Sequence, residues 1–264
     1  MKCFCKKLNG KTQYLSLAKP SQKMKYISAL IIIFLFTSCQ ITETITIKPD
    51  GSGTIEVFQL RDENSYMQVA GENYSREEAF QDTTYVFQEY IAKYNETFLK
   101  YTPEEQQLFK RYANVKVHLK KSSFEKEFRN TFTQNFNKVA EIADLYKTED
   151  YVNDLKNNYA LTAENHYYKI DYSFDGKIFK RLVSVTNPEQ LQKEKDQLTN
   201  IDPKYASLKL TQSYILRYHF PHKIKSVSNE KAVISSDKKT MTLEFQLSDC
   251  MQNPEMTSLE VILE

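Results

Sequence analysis

Four cysteines, four histidines and 34 acidic residues are the reactive inventory of this 264-residue chain, and their spacing argues against most of the chemistry those types can do. His219 and His222 flank Pro221 as an HxxH, but no glutamate-bearing helix joins them, which removes the zincin reading. Cys3 and Cys5 form a CxC with no second pair nearby, where structural zinc asks for four tetrahedral ligands. Asp171 and Asp175 stand four apart without the regular ligand series of a calcium loop. Gly51-Ser52-Gly53 lacks both the GxGxxG spacing and the lysine and hydroxyl of a phosphate loop, so both glycines are expected to serve a turn. Cys250 would need an adjacent base to act as a thiolate. Spacing places none of His118, His166, His219 and His222 beside it, and a structural cysteine is expected. A GxSxG elbow, a CxxC pair and basic residues interleaved with aromatics are all missing. No catalytic, metal-binding or cofactor-binding residue is assigned and no cofactor is implied. An enzyme is weakened by this, not removed, because catalytic groups can converge from distant positions.

Cys39 has a different context. It closes MKYISALIIIFLFTSC, in which Lys25 precedes an apolar run from Ala29 to Phe36 and small residues follow. The run is shorter than the roughly 20 residues that span a bilayer, so it reads as a secretory signal. Phe36-Thr37-Ser38-Cys39 resembles the lipobox of bacterial lipoproteins, in the looser form found among Bacteroidetes; Phe36 and Thr37 depart from the commonest version. The resemblance implies that the Cys39 thiol is diacylglycerated, the preceding peptide cleaved and the new amino terminus acylated. On this reading residues 1–38 are an upstream extension and signal peptide, with translation starting at Met24. Residues 39–264 are then a single exported domain held to the membrane by acyl chains. In that group, acidic residues directly after the cysteine direct surface export. Gln40-Ile41-Thr42-Glu43 departs from this, which leans the body toward the periplasmic face of the outer membrane.

Removing the leader reverses the charge. Positions 1–38 hold seven lysines and no acid, so 29 basic residues face 34 acidic ones after Ser38, a net charge near −5 where the whole chain has +2. No concentration of positive charge against phosphate remains, and nucleic acid is not an expected partner. With Cys39 acylated, Cys250 has no intramolecular disulfide partner, and stability must come from packing.

The elements follow from periodicity and turn chemistry. Ile41, Thr44, Ile45 and Ile47, then Thr54, Glu56 and Phe58, flank Pro49–Gly53 as a first hairpin. Ser75-Arg76-Glu77-Glu78 has capping-box spacing, and Phe80, Phe87, Ile91, Tyr94 and Phe98 recur at helical intervals. Thr102-Pro103-Glu104-Glu105 starts another helix, ending by Asn114. Residues 113–136 are ambiguous, because Phe124, Phe128, Phe132 and Phe136 suit a helix face and a strand face alike. The polar row Arg129, Thr131, Thr133, Asn135 favours a second hairpin. A helix is expected over 137–157. A third hairpin turns at Asp175-Gly176, with Ile178, Leu182 and Val183 beyond it; a short helix starts at Asn187-Pro188; and a fourth hairpin turns at Ser236–Lys239. Leu210, Tyr214, Leu216, Tyr218 and Phe220 share one face of a strand, and Leu259–Leu263 is a terminal strand.

The fold class is therefore α+β, antiparallel hairpins forming a sheet or partial barrel with packed helices. The first hairpin and the tail from His219 to Leu247 resemble small lipid-anchored β-rich proteins of unknown function, the family grouped with mycobacterial LppM. Two functional classes stand. One is a membrane-anchored, non-catalytic envelope protein binding a protein, glycan or lipid partner. The other is an envelope hydrolase with an unrecognised active site.

Overall fold

The structure is a computed structural model. It describes residues 39–61, 63, 66–67, 80–158, 160–199 and 212–264, all within one compact unit. The signal and lipobox residues up to Ser38, the capping box at Ser75–Glu78 and Leu210 lie outside the described residues. Among the described residues, no helix is long and apolar enough to cross a membrane.

An eight-stranded sheet is built from β1 (Cys39–Ile47), β2 (Gly53–Leu60), β3 (Phe80–Val86), β4 (Lys116–Ser122), β5 (Glu127–Phe136), β8 (Gln212–His219), β10 (Val233–Ile234) and β11 (Thr240–Gln246), in the order β10-β11-β8-β1-β2-β5-β4-β3. A four-stranded sheet takes β6 (Tyr168–Phe174), β7 (Ile178–Val185), β9 (Ile224–Val227) and β12 (Leu259–Leu263), in the order β6-β7-β12-β9. The pairings are antiparallel except that β1 and β8 run parallel, and neither sheet closes into a barrel. The class is α+β as read from sequence, with a mixed rather than purely antiparallel large sheet. The parallel pair joins strands about 170 residues apart, for which no local turn exists to signal the partnership.

All four expected hairpins form, because each has turn chemistry that acts locally. Gly51 takes φ +79° in the first turn, where Asp50 Oδ1 accepts from the Ser52 amide. Gly176 takes φ +98° in the third. Gly53 does a different job from the turn role expected of it: it is the first residue of β2, and a Cβ there would lie 2.0 Å from the Thr46 carbonyl oxygen. The ambiguous 113–136 segment is the hairpin β4–β5, with Val117 opposite Phe132.

Two helices come out shorter than periodicity suggests. Phe80–Val86 is strand β3, and helix α1 (Phe87–Lys93) begins only after it. Thr83, Thr84, Tyr85 and Val86 are strand formers, β4 offers them a ladder, and Phe80 is left 72% exposed. A short turn of helix, α2 (Asn95–Phe98), leads to α3 (Pro103–Arg111), which has the expected capping box: Thr102 Oγ1 accepts from the Glu105 amide and Glu105 Oε2 from the Thr102 amide. Over 137–157 the expected helix is reduced to α4 (Thr148–Asn157), preceded by two 3-10 turns. Competing acceptors explain the break, since the Ala143 amide donates to Gln134 Oε1 and the Tyr146 amide to Asp144 Oδ1. Helix α5 (Pro188–Thr199) starts where Asn187 Oδ1 caps the Gln190 amide, and α6 (Leu247–Gln252) follows β11.

One face of the large sheet is covered at one side by the small sheet and at the other by α1, α3 and α4. Phe87, Phe98, Phe109, Tyr112 and Tyr151 pack ring against ring in the helical part, with centroids 4.6–6.5 Å apart. A single register row crosses the sheet as Leu243, Leu216, Glu43, Val57, Phe132, Val117 and Tyr85. All seven are buried, and the row has one charge, on β1.

Candidate functional site

That charge cannot be left alone, because an ionised carboxylate without partners in the interior costs many kcal/mol. In β1 the alternate row Ile41, Glu43, Ile45, Ile47 faces the small sheet, so Glu43 meets the inward row Phe179, Arg181, Val183 of β7. Leu182 is turned outward at 55% exposure, and Arg181 takes the inside. Glu43 Oε1 accepts from Arg181 Nε at 3.2 Å, Tyr172 Oη at 2.9 Å and Tyr218 Oη at 2.6 Å. Its Oε2 accepts from Tyr214 Oη at 3.0 Å and from Arg181 Nη2 at 3.4 Å, with Tyr146 Oη 3.2 Å away. The remaining guanidinium hydrogens go to Thr257 and Tyr214. Arg181 Nη1 donates to the Thr257 carbonyl at 3.0 Å and its Oγ1 at 2.7 Å, and Nη2 to Tyr214 Oη at 2.7 Å. Every donor of the guanidinium is used.

Charge states follow from the same geometry. Burial pushes the Glu43 carboxyl upward, but the Arg181 charge and the hydrogen bonds from Tyr218, Arg181 and Tyr172 outweigh it, and the group sits below its ordinary range. Burial opposes the Arg181 charge too, and Glu43 followed by the tyrosines more than restores it. Burial holds the phenols of Tyr146, Tyr172, Tyr214 and Tyr218 well above their usual value, so they stay neutral donors. The cluster ties β1, β6, β7, β8 and the turn at Thr257 together. A general acid or base needs a free valence toward substrate and a pKa near the working pH, and Glu43 has neither.

Beside the cluster lies a cleft of about 90 Å³, walled by Ile41, Tyr146, Tyr168, Leu247, Cys250 and Met251, with Arg181 and Tyr214 also in its lining. Cys250 is a free, buried thiol, and burial pushes it up to about 11; it is not a thiolate at neutral pH. The histidines are scattered. His118 pairs with Asp82 at 2.8 Å, His166 with Asp150 at 2.9 Å and His219 Nδ1 with Thr240 Oγ1 at 2.9 Å, while His222 is exposed beyond β8. Asp171 and Asp175 do not converge on a cation. Asp171 pairs with Lys169, and Asp175 Oδ1 accepts from the Lys177 and Ile178 amides of its own turn. Among the described residues, no group of three histidines, cysteines or carboxylates could hold a metal. Cys39, the lipidation residue expected from sequence, is the first residue of β1 and pairs with Gln212 of β8.

These features define a two-sheet α+β domain whose central strands are locked by a saturated ion pair. No protein-family model matches the chain, and no curated protein matches it. Among solved structures it is similar to the NMR structure of the folded domain of the Mycobacterium tuberculosis LppM protein. That likeness has a TM-score of 0.35 and 10% sequence identity, over 88% of this chain and 94% of that one.

Proposed function

We propose that the chain is a membrane-anchored, non-catalytic envelope lipoprotein, tethered through acyl chains on Cys39 to the bacterial outer membrane, facing the periplasm and binding a protein, glycan or lipid partner. The observation that carries the non-catalytic part is the state of the Glu43–Arg181 cluster. It is a concentration of buried ionisable groups of the kind that marks active sites, yet each hydrogen-bonding position of its ion pair is spent on the fold. Cys250, the thiol lining the cleft beside the cluster, is held protonated by burial. The anchoring part rests on the FTSC sequence and its apolar leader.

Tethering gives such a protein its usefulness without chemistry. Confinement along a bilayer raises the effective concentration of a weak binding face. The test pairs localisation with turnover. Removing the acylation site while keeping the signal should leave a folded domain and abolish function in cells. Hydrolysis of an envelope polymer by the purified protein, lost on replacing one acid or histidine without unfolding, would install the hydrolase instead.

A further inference from the structure

The most exposed large apolar side chain among the described residues is Phe124, 95% exposed at the tip of the β4–β5 hairpin. Phe80, whose register partner Ser122 stands at the base of the same turn, is 72% exposed. The turn that displays Phe124 is built, not loose. Ser122 Oγ accepts from the Glu125 amide at 3.0 Å, and Lys126 takes the left-handed conformation at φ +58°. Lys120 Nζ lies 2.9 Å from Glu125 and 2.7 Å from Glu127, and Glu127 also pairs with Arg129. Both acids beside Phe124 are thereby paired with cations. Residues 120–129 hold four basic side chains against these two acids, on a body whose net charge after Ser38 is near −5.

The ladder fixes where this tip lies. Gln40 of β1 pairs with Leu60 of β2, Leu60 with Arg129 of β5, and Arg129 with Lys120 of β4. The next row outward starts at Cys39 and includes Arg61 and Phe128, whose amide and carbonyl bond at 3.0 Å. Glu127, Ser122 and Phe80 form a further row, and the turn carrying Phe124 follows it. The tip therefore stands at the same end of the large sheet as Cys39. It overhangs that residue by two positions, roughly 7 Å at about 3.4 Å each. Laterally, β5 is two strands from β1, roughly 10 Å at about 4.8 Å each.

We propose that the β4–β5 tip is a second membrane contact, with Phe124 entering the interfacial layer of the bilayer to which Cys39 is tethered. This rests on the anchoring reading given above and deepens it by naming the surface that meets the lipid. An overhang of this size matches the roughly 5–10 Å to which amphipathic elements bury apolar groups at the boundary of headgroups and acyl chains. The surplus of lysine and arginine around the ring complements lipid phosphates, and long basic side chains reach headgroups while their stems stay in apolar surroundings. Continuity with Cys39 selects a bilayer over a protein partner, because β1 begins at that residue and its acyl chains bring this end of the sheet to the lipid. One phenylalanine holds far less than an acyl chain, so the tip orients a body that the anchor retains.

The chain has no tryptophan, so Phe124→Trp, Phe80→Trp and Val233→Trp each introduce a single fluorescent reporter. Val233 is the control: it is 69% exposed on β10, level with Thr44, five residues along β1 from Cys39. All three positions are exposed, and each variant should melt as wild type does. The full chain is extracted in detergent, its intact mass measured, and reconstituted in vesicles of phosphatidylethanolamine and phosphatidylglycerol. Bromine on the acyl chains quenches an inserted indole and iodide quenches one in water. The Phe124→Trp reporter should be quenched by bromine and shielded from iodide, Phe80→Trp less so, and Val233→Trp the reverse. Adding Phe124→Ser to Phe80→Trp should remove the bromine quenching. Equal bromine quenching of the Phe124→Trp and Val233→Trp reporters would overturn the proposal. So would a Phe124→Trp reporter shielded in native envelopes but open to iodide in pure lipid, which would install a protein partner instead. Iodide access at position 124 in a chain correctly acylated at Cys39 would sink the tip contact and leave the anchor standing. Bromine quenching there in a chain without acyl groups would keep the contact and sink the anchor.

Discussion

Glu43 and Arg181 are worth more as a pair than either is alone. Glu43→Gln strands a guanidinium in the interior, and breaking a buried pair in this way costs about 3–5 kcal/mol; urea denaturation should show a loss of that size. Replacing both, with Glu43→Leu and Arg181→Met, should recover most of it, since well-packed apolar substitutes for buried pairs are often neutral. The pH dependence has a defined sign. Glu43 is depressed below the ordinary 4.5, so its stabilisation is complete above that value and is lost as pH falls through its lower folded pKa. Asp144 runs the other way. Burial, ahead of the opposing charges of Lys147 and His166, raises its pKa, and its Oδ2 has no hydrogen-bond partner among the described residues. Ionised Asp144 is a liability that is relieved as pH drops through the raised value. Asp144→Asn keeps an acceptor for the Tyr146 amide and should stabilise at pH 7, with the gain over wild type shrinking at lower pH. Sequence reasoning passed over this cluster, although a signal for it is present. In ITETITI a charge occupies the apolar row, as Arg181 does in IFKRLVSV, and a charge on a buried row demands a partner. The identity of the partner is not legible, because 138 residues separate the two.

At the scale of the element, the two glycines of the first hairpin separate conformational from steric need. Gly51 has φ +79°, and a Cβ added there would meet nothing within 4 Å, so Gly51→Ala should cost only about 1 kcal/mol, the strain of a left-handed residue. At Gly53 a Cβ would meet the Thr46 carbonyl oxygen at 2.0 Å and Phe136 Cζ at 2.7 Å. Both lie on strands paired directly with β2. Gly53→Ala should cost about 3 kcal/mol or more and disturb the β1–β2 ladder. Thermal melts of the two variants should differ severalfold in their shift, and equal shifts would refute the distinction. This contrast also marks where sequence reading succeeds. Turns and caps are set by neighbouring residues, so the hairpins and the Thr102 box can be read from them. The segment 137–157 cannot, because its helix is interrupted by Gln134, which reaches across from β5 to take the Ala143 amide. Strand β9 is illegible for a related reason: its four residues carry little pattern, and its ladder to β12 joins positions far apart in the chain.

For the whole molecule, the proposed anchoring would make the position of Cys39 decide how the body meets a membrane. β1 starts at this residue and is an interior strand of the large sheet, paired with β2 on one side and β8 on the other. Acyl chains on Cys39 would therefore join the rigid sheet with no spacer, whereas a flexible linker of n residues would add about 5–6 Å × √n of reach. From β1 to β3 there are four strand steps, roughly 19 Å at about 4.8 Å each, so the β3 edge of the sheet is set well to one side of the strand that starts at Cys39. A lone acyl chain gives only marginal, reversible binding, and stable anchoring takes more than one; acylation of both the thiol and the new amino terminus would meet that requirement. Intact-mass measurement of detergent-extracted protein should find a chain beginning at Cys39 with added acyl groups, resistant to extraction by alkaline carbonate. Cys39→Ala should move the protein out of the membrane fraction. Its stability in urea should stay within about 0.5 kcal/mol of wild type, because the backbone ladder to Gln212 survives the substitution. A mature chain that starts elsewhere, or one that remains membrane-bound without Cys39, would dismantle the anchoring reading and with it the effective-concentration argument for a weak, chemistry-free binding face.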